Sequence, residues 1–144
     1  MEAIKTITIQ AVISAPVEKV WELYTTPEHV MQWNHASDEW HSPKAENDLT
    51  PGGKFNYRME AKDGSAGFDF WGIYDKIKRD EFIEYTMGDG RKVKVAFTKN
   101  KNETRIETTF SAESTHPIEL QRAGWQAILN NFNKYVELTY HDKI

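Results

Sequence analysis

Apolar and polar residues alternate along the start of the chain. Every second residue from position 7 is apolar, namely Ile7, Ile9, Ala11 and Ile13, with polar side chains at positions 6, 8 and 10. A period of two is typical of a strand with one buried face. The first element is therefore predicted to be a strand that packs one face against a core.

Two prolines then indicate the starts of two short helices. Pro16 is predicted to be the first residue of one helix, because apolar residues follow it at helical spacing up to position 24. Thr26 is predicted to cap the second helix, with Pro27 as its first residue and Trp33 near its end. The stretch around Trp40 that follows is predicted to be irregular.

Segments of alternating residues joined by short turns come next. They read GKFNYRMEA, GFDFWGIYDKIK, EFIEYTMG, RKVKVAFTK and TRIETTFSA. Asp63-Gly64 and Asp89-Gly90 are typical of the tight turns that join hairpin strands. Strands joined so closely are antiparallel neighbours, so the pattern predicts an antiparallel meander with one apolar face.

A long amphipathic helix at the end of the chain is predicted to cover that face. It would begin at Pro117 and run to about Tyr140, and its apolar stripe consists of Ile118, Trp125, Ile128, Leu129, Phe132 and Val136. Gln121 falls on the same stripe, where an unpaired buried amide would cost on the order of 1 to 3 kcal/mol. Two alternatives stay open for Gln121, namely exposure near the helix end or a polar contact inside a pocket.

Four ordered motifs carry a family resemblance that covers essentially the whole chain. They are PVEKVWELYTTPEHVMQWN, DLTPGGKF, FDFWGIYDKI and GWQAILNNF. The order of elements resembles the α+β helix-grip fold of the START and SRPBCC superfamily, in which a curved antiparallel sheet wraps around a long C-terminal helix and two short helices follow the first strand. Within it, the motifs resemble the family named after activators of the heat-shock protein 90 ATPase. The resemblance implies one START-like domain over residues 1–144.

The resemblance also implies a cavity between the helix and the sheet for lipid-, polyketide- or flavonoid-like molecules, without a shared catalytic residue. A sheet curved around one helix leaves space for such a site. The residues predicted to bind the ligand are Trp33, Trp40, Phe55, Tyr57, Met59, Trp71, Tyr85, Met87, Phe97, Phe110, Gln121, Trp125, Leu129 and Phe132. No catalytic residue, metal ligand or cofactor is predicted.

The segment 67–77 is inconsistent with a plain amphipathic strand, because both of its faces carry apolar residues. A bulge near Trp71-Gly72 would bring Phe68 and Phe70 inward before it and turn Asp69 outward. In the alternative, a regular strand with Trp71 inward would place Asp69 at the cavity wall and raise its pKa by desolvation.

Composition and charge narrow the function classes. The 144 residues suit one domain, and 39% hydrophobic and 28% charged residues are typical of a soluble globular protein. A net charge of −4 without a basic cluster argues against nucleic acid as a partner. No apolar run approaches the roughly 20 residues that span a bilayer. The first ten residues lack a signal-peptide pattern, so a cytoplasmic location is expected.

Other chemistries are poorly supported. The absence of cysteine excludes disulfides, thiolate nucleophiles and cysteine-ligated zinc. Pro51-Gly52-Gly53 precedes a strand, whereas a phosphate loop precedes a helix, so these residues are predicted to form a turn in which Gly53 has a backbone conformation restricted to glycine. His35, Asp38 and His41 have a metal-like spacing but lack helical periodicity, so they are predicted to be solvated.

The sequence therefore favours a protein that binds an apolar small molecule without catalysis. A cyclase- or hydrolase-like enzyme is the first alternative, and an inward Asp69 or His35 would favour it. The second alternative, suggested by the family name alone, is a co-chaperone of a heat-shock ATPase with a role in stress response. Homodimerisation through the outer face of the sheet is a further option, although no exposed apolar stripe supports it.

Overall fold

The computed structural model describes residues 5–141. Their elements, in chain order, are β1 (Thr6–Ile13), α1 (Val17–Thr25), α2 (Pro27–Trp33), β2 (Trp40–Asn47), β3 (Lys54–Ala61), β4 (Gly67–Lys78), β5 (Phe82–Met87), β6 (Lys92–Asn100), β7 (Glu103–Ser111) and α3 (Ile118–His141). Within these residues no helix is long and apolar enough to cross a membrane.

The strands form one antiparallel sheet in the order β1-β7-β6-β5-β4-β3-β2. β1 and β2 occupy opposite edges, because α1 and α2 carry the chain from one edge to the other. The sheet curls into a half-barrel around α3. The predicted helix-grip fold is therefore confirmed.

The first elements lie close to their predicted positions. In β1, Ile7, Ile9 and Ile13 are buried, as the alternation predicted. Pro16 precedes α1 at the cap position, so its assignment as the first helical residue is wrong by one position. Thr26 precedes α2 as predicted, but its side chain makes no capping hydrogen bond. Its carbonyl oxygen instead accepts the backbone N–H of Val30 at 2.9 Å.

Strand β2 was not predicted, and the expectation of an irregular stretch at Trp40 is wrong. Its sequence, WHSPKAEN, has no apolar alternation, and Pro43 lacks the N–H that a central strand needs. The strand forms because it is an edge, where a missing donor is tolerated, and because its register with β3 shifts between His41 and Lys44.

Strand β4 decides between the two alternatives for segment 67–77. Its register with β3 runs without interruption, whereas its register with β5 shifts between Tyr74 and Lys76. The bulge predicted near Trp71-Gly72 is therefore wrong in position. Tyr74 is buried, while Trp71 lies on the outer face with Lys54 Nζ 4.6 Å from its ring centroid. Asp69 also points outward and pairs with Arg58 at 3.6 Å, so the alternative with Asp69 at the cavity wall is wrong.

The turn predicted before β3 is present. Gly52 has a φ of 84°, which lies in the left-handed region that favours glycine. A Cβ at Gly53 would lie 2.2 Å from the carbonyl oxygen of Asp48. The predicted glycine-restricted backbone conformation at Gly53 is therefore wrong: it occurs at Gly52, and at Gly53 crowding alone excludes a side chain.

Helix α3 covers the concave face of the sheet and also closes one of its edges. Three of its polar side chains donate hydrogen bonds of 3.1–3.3 Å to carbonyl oxygens of β1: Arg122 to Thr8, Gln126 to Gln10 and Asn133 to Val12. Because no strand within residues 5–141 pairs with β1 on that side, these bonds satisfy acceptors that an open edge would leave to solvent or to another strand.

Alanine at two glycines is expected to have opposite effects on stability. A Cβ at Gly72 would lie 2.8 Å from the backbone oxygen of Thr86 and 2.9 Å from the ring of Phe55, so Gly72→Ala should lower the free energy of unfolding by about 1–3 kcal/mol. Nothing lies within 4 Å of a Cβ at Gly124, so Gly124→Ala in α3 should raise it by up to about 1 kcal/mol. Urea denaturation measures both, and an unchanged midpoint for Gly72→Ala would contradict the predicted clash.

Candidate ligand-binding cavity

A cavity of about 290 Å³ lies between α3 and the curled sheet. Its walls come from α1, α2, α3 and the inner faces of β1, β3, β4, β5 and β7, together with the turn after β5. The lining residues are Ile9, Tyr24, Trp33, Asn34, Phe55, Tyr57, Met59, Phe68, Phe70, Tyr74, Ile83, Tyr85, Arg91, Thr108, Trp125, Ile128 and Leu129. Phe68 is 50% exposed, so the cavity meets solvent near the start of β4.

Aromatic rings form most of the wall on the β3–β5 side. The ring of Phe55 lies 4.8 Å from that of Tyr85 and 5.4 Å from that of Tyr74, measured between centroids. Gly72 makes this packing possible, because its missing side chain leaves room for the Phe55 ring. Such edge and tilted contacts hold the rings in place and leave their faces available to a bound molecule.

Trp125 of α3 forms the opposite wall. Its ring stacks on Phe110 with 3.9 Å between centroids and an interplanar angle of 12°. Phe70 meets it edge-on at 6.0 Å. Phe110 is fully buried and packs against one face of the Trp125 ring, which fixes the position of the ring. The rest of the Trp125 side chain lines the cavity.

Four tyrosines from four elements bring their hydroxyl groups into this region. They are Tyr24 of α1, Tyr57 of β3, Tyr74 of β4 and Tyr85 of β5. Burial raises the pKa of each hydroxyl, to about 12 for Tyr74, and the neighbouring tyrosines also affect these pKa values. At neutral pH the four groups are therefore protonated, and each can donate a hydrogen bond but cannot act as a base.

A polar chain ties one of these tyrosines to the opposite edge of the sheet. The Tyr74 hydroxyl donates to Oδ1 of Asn47 at 2.6 Å, and Nδ2 of Asn47 donates to the carbonyl oxygen of Thr25 at 2.7 Å. These bonds connect β4, β2 and the end of α1, so they fix the orientation of the Tyr74 ring beside the cavity.

Arg91 is the charged residue among the described residues of the cavity wall. It follows the turn after β5, where its Nε donates to Oδ2 of Asp89 at 2.8 Å and its Nη1 donates to the carbonyl oxygen of Ser111 at 3.3 Å. Its side chain is 24% exposed, so the guanidinium lies at the boundary between cavity and solvent.

Half of the predicted ligand-binding residues lie on the cavity wall. They are Trp33, Phe55, Tyr57, Met59, Tyr85, Trp125 and Leu129. Strand alternation placed the β3 and β5 members correctly, and the apolar stripe of α3 placed Trp125 and Leu129 correctly. Their role in ligand binding stays a prediction.

The other predicted residues lie elsewhere. Phe97, Phe110 and Phe132 are buried in the core behind the wall, because the rings of α1, α3 and β7 fill that part of the space. Met87 is also buried in the core and is not on the wall. Trp40 contacts the lining residue Phe68 at 6.0 Å between ring centroids but is not itself on the wall. The assignment of Trp71 is wrong, because it lies on the outer face of β4.

Gln121 matches neither predicted alternative. It is buried, but its amide closes the connection between β7 and α3 and does not reach the cavity. Its Oε1 accepts the N–H of Glu113 at 2.8 Å, and its Nε2 donates to the carbonyl oxygen of His116 at 2.8 Å. Gln121 is therefore a polar residue on the apolar stripe of α3 because it pairs with the loop that precedes the helix.

Several lining residues were missed by the sequence analysis, notably Tyr24, Asn34, Arg91 and Thr108. Thr108 shares the alternation of β7 with buried neighbours, so its inward position was readable from the sequence. For Arg91, no local signal in the sequence indicates that the turn carries it to the cavity.

The acid, base and metal candidates lie outside the cavity wall. His35 follows the lining residue Asn34, but its Nε2 lies 3.1 Å from Nδ2 of Asn131. Burial and the charge of Lys62 lower the pKa of His35. Among residues 5–141, no group of three histidine, aspartate or glutamate side chains is placed to hold a metal ion.

The chain is similar to one protein family and to several solved structures. The family model described as Activator of Hsp90 ATPase homolog 1-like protein matches residues 14–137. No curated protein shows significant similarity to the chain.

Two solved structures combine high sequence identity with the same fold. The AHSA1-like protein from Aeromonas hydrophila, solved by NMR, is 42% identical, with a TM-score of 0.88 over 93% of each chain. A protein from Cytophaga hutchinsonii is 50% identical, with a TM-score of 0.81 over 94% of each chain. A crystal structure from Nitrosomonas europaea is 16% identical, with a TM-score of 0.81 over 98% of this chain and 99% of that one, and it shows the fold alone.

Proposed function

This chain belongs to the Activator of Hsp90 ATPase homolog 1-like family, and on that premise we propose that it binds an apolar small molecule in the cavity between α3 and the sheet. Folds of this family commonly bind hydrophobic ligands. The observation that carries the proposal is the cavity itself, which has aromatic walls and only a few polar groups. Its volume of about 290 Å³ lies at the lower end of the volumes of ligand sites. This volume favours a ligand with a short chain, a single ring or two fused rings.

Binding without catalysis fits the polar groups on the wall. Neither Asp69 nor His35 belongs to the lining, and the described lining residues include no carboxylate or histidine. The buried tyrosines keep their protons at neutral pH, and arginine stays charged. These groups orient a ligand through hydrogen bonds, whereas a cyclase or hydrolase would need an acid or base in the cavity.

A heteronuclear NMR titration with short-chain and fused-ring compounds tests the proposal. Compounds that bind are expected to shift the resonances of Tyr57, Met59, Tyr85 and Trp125, because the first three lie on the β3–β5 side of the cavity and Trp125 lies on the opposite wall. Native mass spectrometry of the purified protein should show a retained compound of the same class. Unmoved resonances at all four residues for every compound would count against a binding function.

A matched pair of variants on α3 sharpens this test. Trp125→Ala removes the stacked wall and should weaken binding by about tenfold or more, as truncation of a buried aromatic contact usually does. Leu120→Ala is the control. Leu120 lies on the same helix with a side chain that is 59% exposed, so its replacement should leave the affinity unchanged. Equal affinities for the two variants would place the ligand outside this cavity.

A second candidate function is contact with a heat-shock ATPase, and the family description supports it. Purified chaperone and this protein would be assayed together for complex formation and ATP hydrolysis. An increased hydrolysis rate that Trp125→Ala leaves intact would support the co-chaperone function separately from ligand binding. An unchanged rate without complex formation would remove it.

A further inference from the structure

We propose that the molecule bound in this cavity carries an acidic group, most simply a carboxylate, and that Arg91 binds that group. This inference rests on the proposed function, and it narrows the ligand class to small apolar acids. The apolar body would lie against the aromatic walls, and the acidic end would lie where the cavity meets solvent beside the turn after β5.

The position of Arg91 suits an acid better than a neutral or basic ligand. A carboxylate taken from water without a partner is costly to bury, and a partly exposed arginine supplies a partner while leaving some hydration. The described lining residues include no aspartate or glutamate that would repel an anion. A cationic ligand would meet Arg91 without a carboxylate on the wall to offset its charge.

The guanidinium retains donors for such a ligand. Its Nε is occupied by Asp89 and one N–H of Nη1 by the Ser111 carbonyl, which holds the group by one side. Within residues 5–141, Nη2 has no acceptor, and arginine carries more N–H donors than these two contacts use. Tyr85 lines the same cavity, and burial raises the pKa of its hydroxyl, so Tyr85 offers a second, neutral donor.

Two carboxylates near Arg91 compete with the proposed ligand. Asp89 is paired with it directly, but its side chain is 54% exposed, so water weakens that pair. Glu113 is paired first with His116, and the pKa of Glu113 is lowered mainly by that hydrogen bond and to a lesser extent by Arg91. Removing the Asp89 charge should therefore strengthen, not weaken, the binding of an acid.

Matched acid and amide probes test the inference. Naphthoate is compared with naphthamide and octanoate with octanamide, since each pair shares one apolar body and differs in charge. Each acid should bind about tenfold more tightly than its amide by NMR titration, as expected for a charge-assisted contact at a partly exposed site. The difference should shrink as salt is added, because screening acts on the charged contact alone.

Variants assign the effect to Arg91. Arg91→Gln should weaken binding of the acid far more than binding of the amide, whereas Asp89→Asn, which removes the competing charge and keeps one of the two side-chain oxygens that accept from Arg91, should increase the preference. Arg58→Gln changes an arginine paired with Glu60 on the outer face and should change neither affinity. If Arg91→Gln fails to fold, the Asp89→Asn variant and the salt dependence still test whether an acidic group binds at this position.

Two outcomes would overturn the inference in distinguishable ways. If wild-type protein binds both members of each pair equally, the cavity function stands and the acidic ligand does not. If none of the four probes moves a cavity resonance, both the proposed function and the inference lose their support.

Discussion

Raising the pH above about 10 is expected to destabilise the folded protein strongly, because ionisation of its cavity tyrosines is coupled to unfolding. Tyr24, Tyr57, Tyr74 and Tyr85 all have pKa values raised above the ordinary value of 10.0, and desolvation by burial is the main cause for each. A buried phenolate would lose its hydration, and the charge of Arg91, which lowers the pKa of Tyr85, offsets this loss only in part, so the folded state holds these protons more tightly than the unfolded state does.

The direction of the effect follows from that difference. The stabilisation is fully present below pH 10, where the hydroxyls are protonated in both states, and it is lost as the pH rises through the folded pKa values. For Tyr74 the rise from 10.0 to about 12 corresponds to roughly 3 kcal/mol, at about 1.4 kcal/mol per pH unit. Because small proteins are stable by only about 5–15 kcal/mol, the combined loss should unfold this protein in alkali.

Urea denaturation between pH 8 and pH 12, followed with tyrosinate absorbance, measures this prediction. Tyr85→Phe keeps the buried ring and removes one ionisable hydroxyl. The variant should therefore have a stability close to that of wild type at pH 8 and a higher stability than wild type at pH 12. The variant separates the tyrosine effect from the deprotonation of surface lysines. The chain has six tyrosines, four of which line the cavity. Tyrosinate absorbance from more than the two other tyrosines, developing while the protein stays folded, would contradict the predicted coupling.

The second large effect is expected at Phe132, in the middle of α3. Its side chain is fully buried, and its ring lies 4.9 Å from Trp33 and 5.3 Å from Tyr24, both of which line the cavity. Phe132→Ala removes this contact between the three helices and leaves an apolar void. The free energy of unfolding should fall by about 3–5 kcal/mol, a large part of the total.

Leu138→Ala provides the control for this variant, since Leu138 lies on the same helix with a side chain that is 58% exposed. It should change the urea midpoint little. A loss of less than about 1 kcal/mol for Phe132→Ala would mean that the helices close over the void, contrary to the tight ring packing. In that case Phe132 would not support the cavity wall.

Some lining residues can be located from the sequence pattern, and others only from the pairing between strands. Phe55, Tyr57 and Met59 were predicted because alternation along one strand assigns each residue to a face. Tyr74 and Trp71 were not assigned in this way, because both faces of β4 carry apolar residues and the bulge was predicted between these two residues. The position of the observed bulge, between Tyr74 and Lys76, depends on pairing with β5 and not on the sequence of β4 alone.

Arg91 and Gln121 show the same limit for polar residues. Arg91 lies in the connection after β5 and Gln121 in the first turn of α3, and periodicity does not indicate what either side chain contacts. Arg91 reaches the cavity because the turn after β5 lies beside the end of β7, and Gln121 stays away from it because the loop before α3 folds back onto its amide. The distance from each residue to the cavity depends on how two connections meet in space.

Local patterns in the chain were enough to predict the order of the helices and most strands, the face each regular strand buries and the apolar stripe of α3. These properties follow from repeats of two or 3.6 residues, which act over short stretches of chain. The folded arrangement was needed to learn that WHSPKAEN forms an edge strand, that Trp71 faces outward and that four tyrosines and Arg91 meet at one cavity. Those outcomes depend on register and curl, which arise from contacts between residues far apart in the chain and leave no local period to read.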